Sequence, residues 1–459
     1  MLVACGIFRE GDALFVSSDA AALKSTGQLF RHAMRTLRIS PHEMHHIGDN
    51  EAGDYKAAKR LRIHADLYTR AQLSRFESAT LSKLPPSQWR ERTLVTASKF
   101  TRLSRCEDGP ADSAIWDLLS STIAPFVAGY ALWLIEEAHR RGTKKLFFLA
   151  RDMQLVHEVT SYFVRRKGLN IKCIYVYASR NAWHPAGYSG PQDFELFWLT
   201  DNLPANNPET VLSRLLGADG FAGLDSLLGP LVDDNQIWGR NEIRELLESK
   251  QLRPVIDQAT KEARRVLFRY MNQCGYSPDP SCALVDAGWR GSLQNSLARA
   301  FHLEGVEGEI LGFYIGLRHV SHVERTCKMI PFLPDDAVNE QGFSLVSLIE
   351  SLLSANHGST VGYVTRPGST EPVLRKDPPD QILRQWNLVR DSCMAYAQEL
   401  ADSPAWEAAS GVVSRSALTP LPGPNTGRSR VVYPMVFRWR TRSRGAARSC
   451  RPAHSQGFC

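Results

Sequence analysis

Three short apolar runs set the architecture of this chain. They are Lys145–Ala150, Cys173–Ala178 and Ala283–Val285, and each passes within a few residues into a helical pattern. The runs are too short for buried helices and show no polar alternation, so they predict strands covered on both faces. Strands of that kind, separated by helices over 153–165 and roughly 254–273, predict a parallel α/β sheet. A long helix over 115–140 leads into the first run, and Ile310–Ile315 adds a further strand.

The same rhythm appears at the start of the chain. Leu14–Val16 predicts a strand, and Leu29, Phe30, Ala33, Met34 and Leu37 recur at helix spacing. Ser40, Pro41 and Glu43 form a capping-box signature. His46–Gly48 and Ile63–Tyr68 predict two more strands around a helix through Ala57, Ala58 and Leu61. The expected organisation is therefore a small α/β domain over 1–71, a linker over 72–112 marked by Pro85-Pro86 and Asp108-Gly109-Pro110, a second α/β domain over 113–400 and a disordered Arg-rich tail over 401–459. The functional part of the second domain is expected within 113–365.

Composition narrows the function. The chain has 459 residues and a formal net charge of +7. Nine of its 55 basic residues are arginines after Ser410, where no acidic residue occurs, leaving 46 basic against 48 acidic residues elsewhere. A near-neutral body gives no case for nucleic-acid binding. The nine cysteines are scattered, with no Cys-x-x-Cys, which fits a reducing cytoplasm better than a disulfide framework. Arg9, Glu10, Asp12 and Asp19 interrupt any signal-peptide pattern. Ile115 to Ile135 is long enough to span a bilayer, but Asp117, Thr122 and Pro125 predict a buried helix of a soluble domain.

Two constellations carry chemistry. In His46-Ile47-Gly48-Asp49-Asn50-Glu51-Ala52-Gly53-Asp54, Asp49 ends a strand and Asp54 falls in the first turn of the next helix. Such carboxylates can hold Mg²⁺ while leaving positions for water and phosphate. Lys24, read as opening a helix after a strand, can neutralise a phosphoryl group. Each residue alone reads equally as a helix cap or a solvated charge. In the second domain, Asp152 follows the first strand, Arg180 the second, and Asp286, Arg290, Gly291 and Ser292 lie in the turn after the third. If those strands are neighbours, these residues converge on one anion-binding crevice at the strand ends. Helix capping and Arg–Asp pairing are the plainer alternative. Glu350, Asn356 and His357 either rim that crevice or simply end a helix.

Taken in order, Lys24, Gly48-Asp49 and Asp54 resemble the third and fourth motifs of the haloacid-dehalogenase-like (HAD) hydrolase superfamily. Residues 6–70 are most similar to predicted hydrolases associated with bacterial surface-polysaccharide genes. The blocks Phe147–Asp152, Tyr177–Arg180 and Val285–Ser292 resemble the C-terminal part of the same group, with Met153 where a glycine is usual. The resemblance implies a HAD-type unit followed by a Rossmann-like domain, a Mg²⁺ cofactor, Lys24 and Asp49 as catalytic residues, Asp49 and Asp54 as metal ligands, and a phosphorylated small molecule or sugar phosphate as partner. The family's Asp-x-Asp nucleophile precedes the position of Leu14–Val16, close to Met1, so the resemblance also implies a truncated, impaired phosphohydrolase. Two alternatives stand beside it: a glycosyl- or phosphoribosyl-type transferase working through 113–365, and a non-catalytic binding or scaffold protein. His42, His45, His46 and His64 have no cysteine at zinc spacing, and no Gly-x-Ser-x-Gly, Walker or Gly-x-Gly-x-x-Gly motif occurs.

Overall fold

The computed structural model describes residues 8–9, 11–84, 89–105, 110–200, 208–221, 238–318, 327–333 and 346–403. The fold is mixed α/β with parallel sheets, and it divides into two compact units. The first draws on Met1–Ala124, Arg165–Lys167 and Pro379–Arg415, the second on Pro125–Val164 and Gly168–Pro378.

In the first unit, β1 (His45–Gly48) and β2 (His64–Leu67) pair in parallel, with His45 opposite His64 and Ile47 opposite Asp66. Strand period two sends Ala65 inward against Phe30, Ala57, Ala58 and Ile63, and leaves His45, Ile47, His64 and Asp66 on the open face. Leu14–Val16 is no strand. It is irregular, with Leu14 and Val16 exposed, because so short an apolar run gains little without a strand partner and a covered face.

The stretch 72–112, expected to be a linker, holds the helices Arg75–Leu81, Trp89–Ser104 and the start of Pro110–Ser121. Pro110 sits at a helix start, where its missing N–H costs nothing, so a residue pattern read as a linker is a helix boundary. The helix Asp380–Asp402 packs against Trp89–Ser104 and Pro110–Ser121, and Tyr396 donates to the Leu94 carbonyl at 2.9 Å. Residues 380–402 thus belong to the first unit, not to the second as the sequence suggested, and the expected tail boundary at 401 falls inside this helix. Residues 404–459 lie outside the described part.

A buried ion pair holds this helical layer. The Arg102 guanidinium reaches both Glu77 oxygens at 3.1 Å and donates to the carbonyls of Arg70 at 2.6 Å and Gln72 at 2.7 Å. Glu77 also accepts from Ser98 Oγ and the Ser74 N–H, so neither ion leaves a buried valence unmet.

In the second unit, five parallel strands lie in the order β4-β3-β5-β6-β7, with β3 Lys145–Leu149, β4 Lys172–Val176, β5 Cys282–Trp289, β6 Leu311–Leu317 and β7 Lys328–Pro331. The chain leaves β3 toward β4, then returns to β5 on the other side of β3. The hairpin β8 (Thr360–Arg366) and β9 (Ser369–Leu374) completes the strands. The single helix expected over 115–140 is two, Pro110–Ser121 and Ile123–Arg141, divided at Thr122. Pro125 has no N–H for the preceding turn, which favours a new helix start there. Asp112–Arg141 is the one described stretch long and apolar enough to cross a membrane, and 78% of its apolar window is buried in the fold.

Where β5 and β6 pass closest, Gly288 faces Gly316. Gly288 has φ 124°, and a Cβ there would stand 2.0 Å from the Gly316 carbonyl oxygen. Gly288→Ala is expected to cost roughly 3 kcal/mol or more, combining backbone strain with overpacking, read as a lower urea midpoint.

Candidate functional site at the strand ends of the second unit

The strand order reverses between β3 and β5, the chain leaving β3 toward β4 and β5 toward β6, and in parallel sheets ligands bind beyond the carboxyl ends of strands at such a point. Phe148 pairs with Val285, so these neighbouring strands deliver Asp152, three residues past the end of β3, and Asp286, which lies inside β5 opposite Tyr314 and not in a turn after the strand as the sequence suggested. Burial pushes the Asp152 carboxyl up to about 7, with the charge of Glu350 adding to it and Arg151 opposing. Burial likewise pushes Asp286 up to about 8, helped by Asp152 and Glu350 and opposed by the backbone N–H groups of Ala287 and Gly288. Two neighbouring carboxyl groups near neutral pKa can each give or take a proton at physiological pH.

A segment after the helical residues 346–353 closes around these acids. Trp289 Nε1 donates to Glu350 Oε1 at 3.0 Å. Gln154 and Asn356 exchange two bonds, Nε2 to Oδ1 at 2.9 Å and backbone N–H to Oε1 at 3.1 Å. His357 Nδ1 lies 2.8 Å from the Gly358 carbonyl and must donate to it. That bond makes Nε2 the acceptor of the Tyr175 hydroxyl, 2.8 Å away. Burial lowers the His357 pKa, in keeping with this neutral tautomer. Glu350, Asn356 and His357 therefore line the acids' side of the sheet.

The basic residues are placed differently. Arg180 opens the short helix Arg180–Trp183 at the end of β4, capped by Ser179 Oγ, which accepts from the Ala182 N–H at 3.1 Å. Its charge is felt by His184, which burial first, then Arg180 and Arg299, hold at about 3. The Arg290 guanidinium lies over the Phe197 ring at 4.6 Å. Gly291, at φ 68°, precedes the helix Ser292–Leu303, whose first turn has no acidic residue and no side-chain cap. The N–H groups of Ser292 and Leu293, both partly exposed residues, can therefore meet an anion, while Gln294 is buried. The structure brings Asp152 and Asp286 together, adds Glu350, and puts Ser292 at the first position of the helix that follows β5, not in the turn where the sequence suggested it. Met153 is fully buried.

No protein-family model and no curated protein matches this chain.

The N-terminal corner is an ion-pair cluster. Lys24 lies in turns ahead of the helix Gln28–Leu37, with no strand before it among the described residues. Its Nζ sits 2.5 Å from Asp54 Oδ1, which His46 Nε2 also reaches at 3.1 Å, while Asn50 N–H donates to Oδ2 at 3.0 Å. Asn50, rather than Asp49, caps the following turn by accepting from the Gly53 N–H. Gly48 is required here because a Cβ would fall 2.4 Å from Asp54 Cγ. Asp49 is exposed, and its carbonyl accepts from Gln72 Nε2. Among the described residues no three His, Cys, Asp or Glu side chains are arranged to hold a metal ion. With three bonds already on Asp54 and Asp49 turned to solvent, the corner does not fit Mg²⁺ as it stands.

Burial raises the Asp54 carboxyl, but the bonds from Lys24, His46 and Asn50 outweigh it and hold the group at about 2. The sign follows: this stabilisation is complete above the ordinary value of 3.8 and is lost as pH falls through about 2. Lys24→Met should remove most of it, about 2 kcal/mol before solvent screening at the half-exposed lysine is discounted. The loss should show as acid unfolding shifted to higher pH.

Proposed function

We propose that the chain is an enzyme of the cytoplasm that acts on a phosphorylated small molecule, by class a sugar phosphate, at the carboxyl ends of β3 and β5. Asp152 and Asp286 exchange a proton with the ligand's hydroxyl or leaving-group oxygen. The first-turn N–H groups of the helix Ser292–Leu303 take the phosphoryl oxygens, with Arg290 beside them in the turn. Arg180 stands at the neighbouring strand end, and burial, aided by the charge of Glu350, keeps the acid pair protonatable near neutral pH. In this reading the second unit is Rossmann-like and the reaction is a group transfer or hydrolysis. The observation that carries it is the neighbouring pair of buried carboxyl groups near pKa 7 and 8, at the point where the strand order reverses.

The second reading is a HAD-type phosphohydrolase using Lys24, Asp49 and Asp54, and Mg²⁺ belongs to that reading alone. It is favoured by the contact of Lys24 with Asp54, and it requires the ion pair to open. A panel of sugar phosphates followed by ³¹P NMR separates the two. Under the first reading, conversion of a panel member disappears in Asp152→Asn and persists in Lys24→Met and Asp49→Asn. Conversion abolished by Lys24→Met and kept by Asp152→Asn would transfer the function to the first unit.

A further inference from the structure

A cavity of about 360 Å³ opens beside the amino ends of β1 and β2, lined by His42, Glu43, Met44, His45, Lys59, His64, Ala65 and Asp66. It lies at the amino ends of both strands, whereas Asp49 follows the carboxyl end of β1, so it is separate from the Lys24–Asp54 corner. Register puts His45 beside His64, and strand period two puts Asp66 on the same face as His64.

Its two carboxylates are already committed. Glu43 Oε2 accepts from Ser40 N–H at 2.8 Å and Ser40 Oγ at 2.7 Å. Asp66 Oδ2 is bonded to His45 Nε2 at 2.7 Å. The cationic side is not committed in the same way. Lys59 makes only a distant contact with the Tyr55 ring, at 5.6 Å, and His42 and His64 face solvent. One ammonium and two imidazoles thus converge on a cavity whose acids are held by other groups. Ammonium and imidazolium donors together match the oxygens of a compact dianion.

We infer that this cavity is a binding site for the phosphate group of a small molecule, held by Lys59, His42 and His64. The six ionisable groups facing it are His42, Glu43, His45, Lys59, His64 and Asp66.

The test is calorimetric titration of the full chain with inorganic phosphate. Lys59→Met is expected to weaken one binding event about tenfold, and His42→Gln with His64→Gln to weaken the same event. Asp66→Asn frees His45 and is expected to tighten binding, a gain that impaired folding would not produce. Asp152→Asn should leave this event unchanged. Three results would overturn the inference: phosphate binding indifferent to Lys59→Met, Zn²⁺ uptake lost in the histidine variants with no phosphate binding, or binding to phosphatidic acid vesicles without binding to phosphate.

Discussion

Asp286→Asn is expected to lower turnover of the accepted sugar phosphate by roughly 10²–10⁴-fold, the usual contribution of a positioned acid–base group. The same substitution is expected to raise the melting temperature in mild alkali. Both effects have one origin. Folding moves the Asp286 carboxyl from an ordinary 3.8 up to about 8, chiefly through burial. Between those values the folded state binds more protons than the unfolded one. Its stability therefore falls as pH rises through that window, and the full penalty remains above it. Asparagine keeps the shape and removes the charge, so the penalty disappears along with the proton transfer. Asp152→Asn should behave alike over a window ending near 7. Thermal melts at about pH 5 and about pH 9 check the stability half. A variant that loses both turnover and alkaline stability would mark Asp286 as a structural residue.

Arg102→Ala is expected to be the most destabilising change in the first unit, costing roughly 3–5 kcal/mol in urea titration. Glu77 is fully buried and Arg102 nearly so. Removing the guanidinium strands a charged carboxylate and leaves the carbonyls of Arg70 and Gln72 without their donor. The double variant Glu77→Leu with Arg102→Met removes both charges at once and should recover much of the loss. Arg253 and Asp257, an exposed pair on one helix, give the contrast: breaking their 3.9 Å contact should move stability by less than about 0.5 kcal/mol.

The sheet of the second unit was legible because both faces of its strands are covered. Runs such as Leu146-Phe147-Phe148-Leu149 have no other economical place in a fold. For the same reason the sequence located the end of β3 and with it Asp152, but it ended β5 four residues early, and Asp286 lies inside that strand opposite Tyr314. It did not reveal the strand order, which depends on pairing between segments more than a hundred residues apart. Nor could it establish that Arg290 turns to Phe197, since an aromatic partner far along the chain leaves no local signal. Glu350 and His357 were visible only as residues near a helix end. What makes them part of the site is Trp289 and Tyr175, reached across 61 and 182 residues. In the first unit, Gly48-Asp49 and Asp54 drew attention as a metal pair. The structure instead ties Asp54 to Lys24 and His46, a competition between cations for one carboxylate that spacing does not express. Leu14–Val16 failed as a strand because apolar character alone provides no ladder partner. Pro and Gly in 72–112 suggested a linker, whereas proline at a helix start serves the opposite purpose.

The most direct measurement of the central claim is calorimetric titration of the full chain with glucose 1-phosphate in a Lys59→Met background, in which binding at the β1–β2 cavity is weakened. Ser292→Glu places a negative charge at the start of the helix Ser292–Leu303, where it suits the helix and repels a phosphate. The account predicts saturable binding that Ser292→Glu abolishes and Lys24→Met leaves intact. Binding retained in Ser292→Glu and lost in Lys24→Met would contradict it.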